Sequence, residues 1–329
     1  MKRLVPPRRV AALAVAGQLL AAAAGGAAAQ EWPARQVRIV VPSPPAGGTD
    51  LVARIVATGL GEAWARPLLV DNRPGANGSI GTELVAKSPP DGYTLVMGHT
   101  GTHAIAASLQ KNLRYDPARD FAPVVLVGKS ANVLVANPSV PARTVKDLVV
   151  LARRNPGKVA YASGGVGFSQ HLAGVLFGLM TGTQLLHVPY KGGTPALSDV
   201  IAGHVELMFP NVLAALPHIR SGRLRALGVT SASRTAVLPD VSSIAESGLP
   251  GYEAVVWFGL FAPRGTPAQA VERVNADVIR LLRQPAVVAQ VTAMGGDPGM
   301  LDTAGFAAFV ATEVKKWAEV VKVSGATAE

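Results

Sequence analysis

Residues 37–50, VRIVVPSPPAGGTD, press a strand, a glycine turn and a helix start into one short stretch. Val37, Ile39, Val40 and Val41 form a β-branched run of the kind buried on both faces of a sheet. Pro42, Pro44 and Pro45 end it, because a proline cannot donate to a ladder. Gly47 and Gly48 admit backbone angles and close approaches that a Cβ would block. Thr49 or Asp50 can cap a helix expected over 51–64, where Leu51, Ile55 and Leu60 recur near helical spacing. Such a loop aims bare backbone N–H groups at one point, which suits an anion, although a plain βα turn has the same outline. No GK[ST] follows, so the expected guest is a small carboxylate rather than a nucleotide phosphate.

Residues 1–29 read as a targeting segment. Lys2, Arg3, Arg8 and Arg9 precede an apolar run at 10–24, and Ala27-Ala28-Ala29 offers a cleavage site before Gln30. The run is short for a membrane span. Arg8-Arg9 lies in a poor twin-arginine context, so export by the general route to the periplasm is expected. There is no cysteine, which excludes lipoprotein anchoring and disulfides. Of the formal net charge of +10, the leader carries +4, leaving a mild excess compatible with an anionic ligand. The basic residues are unclustered and aromatics sparse, so no nucleic-acid partner is expected.

The remainder alternates strand and helix signals, which points to parallel α/β sheets in two lobes. Strands are expected at 67–71 and 93–97, with a helix from Asn77 or Ser79 to Lys87 and another near 104–109. Two apolar runs in 120–137 have no helix between them, as where a chain crosses from one lobe to another. Thr144 and Asp147 form a capping box for a helix over 145–154. A strand at 158–162 then leads through SGGVGFS into a helix from Gln170 to about Thr181, repeating the device of the opening stretch. Strands are expected at 185–190, 205–209 and 223–230, with Thr194 capping a helix that has Pro195 in its first position. The run 252–263 returns to the first lobe, followed by helices from Thr266-Pro267 to Arg283 and over 303–323. The expected fold is therefore a two-lobed α/β flytrap, type II-like. Its lobes comprise 30–131 with 254–329, and 132–253; two crossing strands form the hinge. The ligand is expected between the lobes, at the carboxyl ends of their strands.

VRIVVPSPPAGGTDLVAR, VDNRPGANGSIGTELVAKSPPDGYTLVMG, YASGGVGFSQHLAG, VPYKGGTPALSDVIAGHVELMF and WFGLFAPRGTP together resemble the Bug family. These are the periplasmic binding proteins of tripartite tricarboxylate transporters. The resemblance runs from Trp32 to Ser324 and implies a flytrap that delivers small carboxylates, amino acids or aromatic acids to a membrane permease. It implies that the loop 43–50, with Pro45, Ala46, Gly47, Gly48, Thr49 and Asp50, grips one carboxylate through backbone groups and ordered water. The loop 163–169, with Ser163, Gly165, Gly167, Phe168 and Ser169, receives the other end. Ser43 stands where the family usually has Phe, Ala46 replaces a Gly, and Pro210 intervenes before Asn211 where the family has Asp. Tyr190, Lys191 and Asn211 are further candidate ligand contacts. No cofactor is expected, and the protein is expected to act as a monomer.

Enzymatic readings are weaker. Gly167-Phe168-Ser169-Gln170-His171 approaches a nucleophile elbow but ends in His, so a periplasmic serine hydrolase using Ser169 with His171 or another His is the alternative, against Ser169 as a helix cap. His99 and His103 lack the acidic neighbour of a metal motif, and Gly165-x-Gly167 lacks the third glycine of a dinucleotide site. Asp50 has the wrong sign to pair with a carboxylate and is expected to cap and brace its loop. Lys191 is the only basic residue in the suspected loops. Binding is therefore expected to rest on N–H groups, water and the hydroxyls of Thr49, Ser163 and Ser169. On this reading Gly47→Val and Gly167→Val both abolish it, and Lys191→Ala costs about 1–2 kcal/mol.

Overall fold

A computed structural model describes residues 32–45, 47–293 and 295–327. The leader, its cleavage site and Ala46 thus lie outside the described residues. The chain falls into two units, Met1–Arg35 and Gln36–Glu329. Of the first, residues 32–35 are described and hold no helix or strand. The second unit carries two sheets and is two-lobed.

The first sheet has six strands. β1 (Arg38–Val41) lies between β2 (Leu69–Asn72) and β3 (Thr94–His99), parallel to both. Beyond β3 come β10 (Val255–Pro263), β4 (Phe121–Ala131) and β11 (Gly296–Leu301), so the order is β11-β4-β10-β3-β1-β2. The second sheet runs β7 (Leu186–Pro189), β6 (Ala160–Ser163), β8 (Leu207–Met208), β5 (Val133–Ala136), β9 (Arg225–Val229). Both sheets are mixed rather than parallel. β10 is antiparallel to β3 and β4, and β5 to β8 and β9. The expectation of parallel sheets fails where the chain changes sheets directly, without the helical crossover that parallel pairing requires.

Only Asn132 separates β4 from β5. Thr230 stands between the two crossing strands and links them. Its N–H donates to the Asn132 carbonyl at 2.9 Å, and its carbonyl accepts from Ala254 N–H at 2.9 Å. Its buried hydroxyl accepts from Asn132 N–H at 2.9 Å and donates to the Ala254 carbonyl at 2.8 Å. One apolar cluster runs through both sheets, from Val40 and Val96 to Tyr161, Phe177 and Trp317. The last of these lies on the helix Thr303–Ser324. Glu313 of that helix is buried and accepts from both Trp257 Nε1 (2.9 Å) and Trp317 Nε1 (3.0 Å), with Lys316 as its ionic partner. Trp257 itself is fully buried.

The capping box at Thr144 and Asp147 is present, and its helix is Val145–Arg154. Elsewhere the expected caps are replaced. Gly47, not Thr49 or Asp50, caps Gly48–Ala63, and Gly78 caps Ser79–Ala86. Phe168 caps Ser169–Thr181, putting Ser169 at the first helical position. Gly192 caps Gly193–Ala202, so Pro195 is in the third position. None of these four has a side-chain cap bond. Three elements were not expected: the helices Val212–Arg220 and Pro285–Ala293, and β11. Pro217 hides the first of these, and Asp297-Pro298-Gly299 makes an edge strand read as a turn.

Candidate functional site

Two cavities meet between the sheets. The first, about 370 Å³, is walled by Pro42, Ser43, Pro44, Ile105, Leu109 and the segment Gly167-Phe168-Ser169. The second, about 590 Å³, takes in Gly48, Thr49, Lys129, Ser130, Asn211 and Phe258. Ser43, His99 and Val256 line both, so they stand at the waist where the two cavities adjoin. These residues come from the carboxyl end of β1, the carboxyl end of β3 and the start of β10, where the sheet changes direction. Such switch points open a crevice above the strands.

The first-lobe loop is braced from behind. Asn72 Nδ2 donates to the Ser43 carbonyl at 3.1 Å and to Asp50 Oδ1 at 2.9 Å, while Arg54 Nε donates to Asp50 Oδ2 at 2.9 Å. Asp50 is buried and lines neither cavity. It is a brace, as expected, but not the cap. Gly47 has φ −77 and ψ 165, angles open to any residue, so the freedom of glycine is not used there.

The second-lobe loop is also tied internally. Ser163 Oγ lies 2.6 Å from His187 Nε2, and accepts from Gly165 N–H at 3.1 Å. Its hydroxyl is thus spent on the loop rather than offered to a ligand. Gly167 N–H donates to His171 Nδ1 at 3.1 Å, so this amide is not free either. His171 and His187 stack at 3.9 Å, and burial pushes both down to about 4, which keeps both rings neutral. Among the described residues no hydrogen bond joins Ser169 to His171, so the pair lacks the contact of a nucleophile with its base.

Of the candidates, Gly48, Thr49, Gly167, Phe168, Ser169 and Asn211 line the cavities. Pro45, Gly47, Asp50, Ser163, Gly165, Tyr190 and Lys191 do not. Tyr190 donates to Asp199 at 2.7 Å, and Lys191 is exposed. The sequence reading placed Ser43 in the gripping loop but missed His99, Lys129 and Ser130 as wall residues. Lys129 is the one charged side chain lining either cavity among the described residues. Its ammonium lies 3.4 Å from Glu253 and 4.6 Å above the ring of Phe309. His103, the other half of the possible metal pair, is buried behind the cleft and stacks on Phe261 at 3.9 Å.

The family model described as the tripartite tricarboxylate transporter family receptor matches residues 52–326. The chain belongs to this family. Solved structures agree with the tripartite tricarboxylate transporter receptor assignment. The chain is 38% identical to Rpa4515 of R. palustris, solved with adipate, with a TM-score of 0.78 over 90% of this chain and 99% of that one. It is 33% identical to the periplasmic binding protein BugD, with a TM-score of 0.73 over 91% and 100% of the two chains. It is also 33% identical to MatC of Rhodopseudomonas palustris, solved with bound malate, at a TM-score of 0.73 over 88% and 100%. Tripartite tricarboxylate transporter receptors of the Bug type are periplasmic binding proteins. The two-lobed fold described above is theirs.

Proposed function

We propose that this chain is an exported, non-catalytic binding protein that captures a small carboxylate-bearing ligand between its lobes and presents it to a membrane permease. The observation that carries this reading is the pair of helix starts, at Gly48 and Ser169, which open into the joined cavities without side-chain caps. An uncapped N-terminus retains its N–H groups for an anion. The related structures with adipate and malate make dicarboxylates the first class to test. The lobes divide at 131/132 and 253/254, where Thr230 links the crossing strands, and closure about that line is the working motion. Residues 1–29 act as the leader, cut before Gln30; N-terminal sequencing of exported protein checks this.

A thermal-shift screen of mono-, di- and tricarboxylates, amino acids and aromatic acids tests the binding reading. A ligand at a hundred times its dissociation constant adds about 2.7 kcal/mol of stability. Absence of any shift, together with ester hydrolysis that disappears in Ser169→Ala, reverses the assignment in favour of a serine hydrolase.

The cavity walls also revise the expectation for Lys191. Lys191→Ala is expected to change affinity less than about twofold, because the side chain is exposed and lines neither cavity. Lys129→Ala is expected to weaken binding about fivefold, the loss of one partly screened cation at the wall. Calorimetric titration of the two variants with the same ligand decides between them, and the reverse ranking refutes it.

A further inference from the structure

The waist between the cavities is polar, although much of the surrounding wall is apolar. Ser43 Oγ is buried and has no hydrogen-bond partner among the described residues. A buried hydroxyl left unpaired is costly, so the position favours an occupant that supplies a partner. His99 faces the same junction with a fixed tautomer. Gly101 N–H donates to its Nδ1 at 3.0 Å, so Nδ1 holds the lone pair and Nε2 carries the proton. Nε2–H has no partner among the described residues. Burial holds the ring pKa down at about 4, so His99 is a neutral donor at neutral pH.

The two helix starts open into different cavities, Gly48 into the second and Gly167-Phe168-Ser169 into the first. A ligand held at one end by each must therefore pass its middle through the waist. A methylene there would leave both Ser43 Oγ and His99 Nε2–H unpaired, whereas an oxygen would satisfy them. We propose that Ser43 and His99 form a specificity pair that reads an oxygen substituent, hydroxyl or keto, on the chain between the two carboxylates of a dicarboxylate ligand. A site built to hydrogen-bond a ligand oxygen rejects the analogue lacking it far more strongly than an apolar pocket rejects an added methylene.

The proposal rests on the carboxylate-binding reading and deepens it. Its test compares matched probes by calorimetric titration of the purified protein: malate against succinate, and 3-hydroxyadipate against adipate. The wild type is expected to favour the oxygenated member of at least one pair by about tenfold or more. Ser43→Ala and His99→Asn are each expected to bring that ratio close to one while affinity for the plain diacid is retained. His99→Asn keeps an acceptor at the δ position for Gly101 N–H and removes only the ε donor, so melting of the unliganded protein is expected to stay unchanged.

Equal affinities of the wild type within both pairs overturn the proposal. So does an equal loss for both members in the variants, which would make the waist a carboxylate contact. If none of the four diacids binds, the proposal fails; the broader reading survives only if the screen finds another carboxylate that does.

Discussion

Gly167→Val is expected to abolish ligand capture, with affinity falling on the order of a hundredfold or more while the protein stays folded. Gly167 has φ +79, a left-handed conformation that a β-branched residue rarely adopts. A Cβ there would also overlap the side chain of Leu109, on the opposite wall of the first cavity. The loop cannot simply relax in place, because its amide at 167 is held by His171 and its base by Ser163 and His187. Valine therefore pushes the second-lobe loop away from the first lobe and opens the wall that a ligand must meet. Gly47→Val is the contrasting case. Among the described residues a Cβ at 47 would meet only the Pro44 carbonyl, at an ordinary 3.5 Å, and the backbone angles are already extended. The expectation that both valines act alike is thus replaced by an asymmetry, with Gly47→Val keeping affinity within about tenfold. Titration calorimetry with circular dichroism as the folding control measures both. Near wild-type affinity in Gly167→Val would falsify this account of the loop.

The largest stability loss is expected from Glu313→Ala. Its carboxylate is the shared acceptor of two buried indoles, and removing it strands Trp257 Nε1 and Trp317 Nε1 in an apolar cluster and takes the ionic partner from Lys316. At roughly 1–3 kcal/mol for each unsatisfied buried donor, the loss is about 3–5 kcal/mol. Glu313→Gln retains an amide oxygen and should lose no more than about half of that. Urea unfolding followed by tryptophan fluorescence reports on the affected rings directly. An alanine variant within about 1 kcal/mol of wild type would show that water or repacking rescues the indoles.

The local grammar of the chain was legible where the structure is ordinary. The Thr144–Asp147 box stands on an outer helix, and both of its hydrogen bonds form as the residue types dictate. The same grammar fails at three helix starts, where Gly47, Phe168 and Gly192 take the cap positions expected of Thr49, Ser169 and Thr194. At Gly48 and Ser169 a hydroxyl cap would consume N–H groups that the proposed site uses. Strand–glycine–helix spacing located Gly48, Thr49 and the segment 167–169 at the cavity walls. It could not locate Ser43, His99 and Lys129 together, because they meet only through the ends of β1, β3 and β4, which lie far apart in the chain. Lys191 follows a strand and precedes a glycine turn, yet it is exposed and lines neither cavity, because proximity in sequence to such a turn does not by itself place a side chain in the crevice.

The position of β10 has a consequence for the order of events in the life of the chain. It fills the slot between β3 and β4 in the first sheet, yet it comes from residues 255–263. Until that segment is available, β3 and β4 have no neighbour between them, and the helix that brings Glu313 and Trp317 to the shared cluster is later still. The first sheet therefore cannot be completed from the amino end alone. Its decisive pairings span more than a hundred residues, and loop closure of that length makes assembly slow. The second sheet, by contrast, has all five of its strands by Val229, so it can form while the first still waits for the carboxyl end.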